Sequence, residues 1–116
     1  MRHTCKITAF LLYGLLTACS GNPLAHKPTH ATASLLMKTS NEAMTHMGYN
    51  ELSQSDRYRQ CMESLAYSTF PCNKLYQTMA ELLNHQGIPV QEKHLQDKTF
   101  YSAIASELEQ LSYYSL

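Results

Sequence analysis

The stretch PCNKLYQTMAELLNHQG, residues 71–87, opens on a proline and closes on a glycine. Between them Leu75, Met79, Leu82 and Leu83 recur at the three- and four-residue spacing of one helical face. Proline suits a helix start, because its missing N–H belongs to the first turn, where no intrahelical acceptor exists. Glycine suits the position just past a helix end, where the chain turns into the left-handed region. The stretch therefore predicts one amphipathic helix with a marked beginning and end.

Reading outward from it gives more of the same. Ile88-Pro89-Val90 is too short and too proline-broken for a central strand. A last helix is expected to begin near Asp97, with Phe100, Ile104, Leu108 and Leu111 on one side. On the N-terminal side, Thr69-Phe70-Pro71 interrupts an earlier helical pattern made by Tyr58, Cys61, Met62 and Leu65. Ser53-Gln54-Ser55-Asp56 announces that helix, with Ser55 as its N-cap. Before it, helical periodicity from Ala31 onward places Leu36, Met37, Met44 and Met47 on one broad apolar side, with Gly48 as a stop. No segment alternates like a half-buried strand. The expected fold class is all-α, a small bundle of three or four short antiparallel helices filling residues 31–116.

The N-terminus obeys other rules. Met1 to Lys6 carries Arg2 and Lys6 and no acid, and Ile7 to Leu16 is apolar apart from Thr8. A spanning helix needs about 20 apolar residues, so this run is too short to cross a bilayer and reads as a secretory signal peptide. It ends in Leu16-Thr17-Ala18-Cys19, which resembles the lipobox of bacterial lipoproteins: an aliphatic residue, a small one, then the cysteine. The resemblance covers the first 19 residues. It implies that residues 1–18 are removed, that the Cys19 thiol receives a diacylglycerol and that the new amine is acylated. Two or more chains, at about 0.8 kcal/mol per buried methylene, hold a protein stably at a membrane. In the family an aspartate after the cysteine favours the inner membrane; Ser20 stands there, which implies the outer membrane, facing the periplasm. Ser20 to His30 holds two prolines, a glycine and small polar residues, so residues 19–30 are expected to be the lipidated cysteine and a flexible tether.

Without Arg2 and Lys6, seven basic residues face nine acidic ones, and no Lys/Arg cluster remains. Nucleic-acid binding lacks its electrostatic footprint, and so does a polybasic contact with anionic lipid. Removing 18 residues from 116 leaves 98, enough for one domain with little stability to spare.

Of the four cysteines, Cys5 leaves with the signal peptide and Cys19 takes the lipid, so Cys61 and Cys72 remain. One leftover pair in an oxidising compartment most simply forms a disulfide. A redox pair and a metal site are weaker readings, since the spacing is not Cys-x-x-Cys and no histidine stands at a structural-zinc spacing.

Several other patterns carry less. Tyr49, Tyr58, Tyr67 and Tyr76 recur every nine residues. At about 100° per residue, successive members would face opposite sides of a helix, so the repeat is coincidence. Met37, Met44, Met47, Met62 and Met79 could form an adaptable partner groove, but filler for a small core is the commoner use of methionine. Pro28 separates His26 from His30, which argues against a shared helical face and against metal ligation there. His46, His85 and His94 are scattered, with no nucleophile at a motif spacing. Arg57, Arg59, Lys74, Tyr113 and Tyr114 are the expected exposed candidates for contact, while Leu111 is expected to close the core.

No catalytic, cofactor or metal motif appears, so no enzymatic activity, cofactor or metal is expected. The expected function is a lipid-anchored envelope protein, a small helical interaction or assembly module of the type of a component or pilot of a secretion or conjugation machine. It would be held to the membrane by its N-terminal lipid and bound to a protein partner in the envelope. The alternatives are an inhibitor or exclusion-type binding lipoprotein and, third, a periplasmic enzyme using His46, His85 or His94.

Overall fold

Alanine, leucine and methionine dominate the apolar positions of residues 31–44, and these are strong helix formers. In the computed structural model, which describes residues 21–26, 28–49, 57–63 and 70–114, they lie in helix α1, Thr29–His46. Four more helices follow: α2 (Arg57–Met62), α3 (Cys72–His85), α4 (Glu92–Leu95) and α5 (Lys98–Tyr114). The described residues contain no strand, and the fold is a small all-α bundle. The signal peptide, Cys19 and the expected N-cap Ser55 lie outside the described residues, as do Leu65 and Tyr67.

The two glycine stops work as their positions predict. Past α1, Gly48 takes φ +91° and its N–H donates to the Thr45 carbonyl while Tyr49 donates to that of Met44. Past α3, Gly87 takes φ +89°, with Gly87 donating to Asn84 and Ile88 to Leu83. Both are Schellman ends, which satisfy carbonyls that the helix itself leaves without donors. At the other end of α3, Pro71 stands just before the first helical residue.

The core forms where α1 packs against both α5 and α3, with α2 against all three. Leu36, Met44, Leu75, Met79, Leu83 and Leu108 are fully buried there. Met37 and Met62 are buried as well, and Met47 packs against the same cluster, so the methionines are core residues. Phe100, Tyr101 and Ile104 bury the expected face of α5, and Leu111 packs against the cluster. The start of α5 is fixed by Asp97, whose Oδ1 accepts from the N–H groups of Thr99 and Phe100 at 3.0 and 3.3 Å.

Tyr58 ties α2 into this core. Its ring meets those of Tyr76 and Tyr101 edge to face, with centroids 6.2 and 5.9 Å away, a preferred geometry for aromatic pairs. Its hydroxyl donates to the Leu95 carbonyl at 2.5 Å. Cys61 in α2 and Cys72 at the head of α3 lie at disulfide distance, with sulfurs 2.06 Å and Cα atoms 5.8 Å apart.

The expected flexible tether is corrected by the structure over its described part. Pro23–His26 forms a 3-10 turn, and Leu24 is fully buried in the core. Asn22 holds both sides of that turn: its Oδ1 accepts from the Leu24 N–H at 3.0 Å and its Nδ2 donates to the His94 carbonyl at 2.9 Å. Helix α1 then begins at Thr29 rather than Ala31. The four-residue α4 was also not foreseen. It follows a loop in which Asn84 Nδ2 donates to the Val90 carbonyl at 2.9 Å and Val90 is buried.

Candidate functional site

Helix α1 buries one side and leaves its other side to a groove. The groove has a volume of about 710 Å3 and is lined along α1 by residues between Ser34 and His46, with Leu82 from α3 and Leu111 from α5. Met37, Leu82 and Leu111 supply apolar surface, while Lys38, Glu42 and His46 supply the charged and titratable groups. The three apolar residues are also those that pack at the edge of the core, which is why the groove floor is apolar.

Two polar atoms at this place are left over. Ser40 Oγ and Asn41 Oδ1 are buried without a hydrogen-bond partner, and Asn41 lines the groove. A buried polar atom left without a partner costs the fold about 1–3 kcal/mol. The threonines of α1 contrast with them: Thr32 and Thr39 donate to the carbonyls of Pro28 and Leu35, four residues back. Neither Ser40 Oγ nor Asn41 Oδ1 is open to the groove, and its exposed polar side chains are Lys38, Glu42, Thr45 and His46.

The three scattered histidines sit on three different elements. His46 is exposed in the last turn of α1, beside the groove. His85 ends α3 and lines a shallow recess with Glu81 and Asn84. His94 lies in α4, where its Nδ1 accepts the Gln91 backbone N–H at 2.9 Å. Partial burial lowers the His94 pKa, Lys93 lowers it further and Asp97 works the other way. His30, the remaining described imidazole of interest, meets Glu107 across α1 and α5 at 2.9 Å. Among the described residues, no group of three or more His, Cys, Asp or Glu is placed to hold a metal.

Of the cationic residues expected at the surface, only Lys74 is exposed. The Arg57 guanidinium lies 4.3 Å from the centre of the Phe70 ring, and Arg59 pairs with Glu63 at 3.3 Å. Glu63 also accepts from the Tyr101 hydroxyl at 2.5 Å, and burial together with that carboxylate pushes the Tyr101 pKa well up. Lys98 Nζ donates to the Met62 carbonyl at the end of α2 at 2.6 Å. The Tyr101–Glu63 and Lys98–Met62 bonds hold the end of α2 to α5, so these groups are occupied within the fold. Sequence reasoning missed the groove because it is assembled from α1, α3 and α5. The spacing of Lys38, Glu42 and Thr45, all exposed on α1, is the signal that could have pointed to it.

No helix among the described residues is long and apolar enough to cross a membrane. In comparisons with protein-family models, with known proteins and with solved structures, nothing matches the chain.

Proposed function

We propose that the chain is a lipid-anchored envelope protein that works as a small helical interaction module. Cys19 carries the lipid and holds the domain at the outer membrane, on the periplasmic side. The α1 groove receives a segment of a protein partner in a larger envelope assembly of the secretion or conjugation type. The observation that carries this reading is the groove itself, with its apolar floor of Met37, Leu82 and Leu111 beside the exposed Lys38 and Glu42. That combination fits a peptide segment offering an apolar side chain to the floor and polar or charged groups to Lys38 and Glu42.

The test is recovery of the full chain, tagged at its C-terminus, from detergent extracts of its host. Co-isolation with a large membrane complex is the expected result. Thr45→Arg fills the groove from an exposed position and abolishes the co-isolation while leaving the helical content intact. Recovery of the unaltered protein only as a free monomer contradicts the proposal.

A further inference from the structure

The packing of Asn22 and Leu24 sets a short limit on how far the domain can stand from any lipid on Cys19. Leu24 is fully buried, and the Asn22 side chain bridges the Leu24 N–H and the His94 carbonyl. Only Ser20 and Gly21 separate Cys19 from Asn22. An extended chain covers at most about 3.6 Å per residue, so three residues reach about 11 Å. A lipidated Cys19 sits at the headgroups, so Asn22 lies within about that reach of them.

We infer that the pole of the bundle formed by the Pro23–His26 turn and α4 rests in the headgroup layer of the membrane. This rests on the proposed lipidation of Cys19. Among the described residues the charges exposed or half-exposed at this pole are mixed: Glu92 and Lys93 on α4, with Asp97 and Lys98 where α5 begins. Mixed signs give no attraction for anionic lipid. The covalent reach therefore sets the contact, and its partner is the headgroup surface irrespective of net lipid charge. Helix α1 follows the Pro23–His26 turn and rises about 1.5 Å per residue. Its groove residues from Lys38 to His46 thus lie successively farther along the helix from the anchored end.

The natural chain contains no tryptophan, so one can be introduced as a probe. Lys93→Trp is placed in the full lipidated protein, which is reconstituted into phosphatidylethanolamine vesicles carrying a headgroup-nitroxide phosphatidylcholine. The expected result is co-flotation with the vesicles and strong quenching of the indole fluorescence. Quenching is also expected to stay the same when a third of the lipid is replaced by phosphatidylglycerol. Inserting 20 Gly/Ser residues between Gly21 and Asn22 adds a root-mean-square reach of about 25 Å and is expected to relieve most of the quenching. Co-flotation without quenching overturns the inference and leaves the lipid reading standing. Quenching that persists after the insertion, or that requires phosphatidylglycerol, overturns the role of the reach. Failure to co-float overturns the lipid reading, and the inference with it.

Discussion

The Asn22 side-chain amide donates to the His94 carbonyl at 2.9 Å, across 72 positions of sequence. That bond joins the turn before α1 to the helix before α5, so a segment that reads as linker closes one end of the bundle. Leu24 is seated in the core by the same residue, because Asn22 Oδ1 takes the Leu24 N–H.

Asn22→Ala removes both bonds. At about 1 kcal/mol for each hydrogen bond lost, the expected destabilisation is about 2 kcal/mol. Urea unfolding followed by circular dichroism reads this as a lower midpoint with an unchanged slope. An unchanged midpoint would show that the turn adds nothing to the fold.

Tyr58→Phe tests the other long-range tie to α4. The ring stays in its edge-to-face cluster, but the Leu95 carbonyl loses its donor. A loss of about 1–3 kcal/mol is expected, the range for a buried polar group left unsatisfied. Thermal unfolding is the measurement, and a variant as stable as the parent would contradict the assigned bond.

The sulfurs of Cys61 and Cys72 bridge positions 11 apart. In the chain-entropy model a loop of that order gives about 3 kcal/mol through the unfolded state. Cys61→Ser with Cys72→Ser is expected to lower stability by that amount and to remove its dependence on reductant. A parent protein equally stable with and without reductant would count against the bridge.

The longer helices are legible in the sequence because each carries its own apolar spacing and a marked start or stop. Leu75, Met79 and Leu83 before Gly87 identify α3, and Phe100, Ile104 and Leu108 after Asp97 identify α5. The buried side of α1 is only partly legible. Thr32, Thr39 and Ser40 are buried on it, and two of them do so by bonding their hydroxyls to the preceding turn, which a hydrophobic pattern does not register. The packed turn at Leu24 was hidden by its neighbours, two prolines and a glycine, whose composition signals a loop. Its one clue is Asn22-Pro23 directly before a lone leucine, a cap residue followed by a helix-start proline. Helix α4 contributes a single buried leucine, Leu95, too little for any period to show. The Cys61–Cys72 pairing was legible by elimination, whereas of the groove shared by three helices only the α1 side, Lys38, Glu42 and Thr45, leaves a trace in the sequence.

Acid is expected to weaken the fold through His94. Its folded-state pKa is lowered, chiefly by burial and then by Lys93, so the unfolded chain takes up the proton first. Stability is therefore complete above the ordinary histidine value of about 6.5 and is lost as the pH falls below it towards the folded value. Protonation also ends the acceptance of the Gln91 N–H by Nδ1. Unfolding midpoints measured between pH 8 and pH 5 are expected to fall for the parent and to fall less for His94→Gln. Identical pH profiles would show that His94 is not the group responsible.

The account depends most on what happens at Cys19. The direct measurement is the intact mass of the protein from membrane and soluble fractions of its host, beside Cys19→Ala. A mass matching a chain that begins at Cys19 and carries two or three acyl chains, confined to the membrane and lost from it in the variant, is the predicted result. An unmodified mature chain free in the periplasm would contradict it.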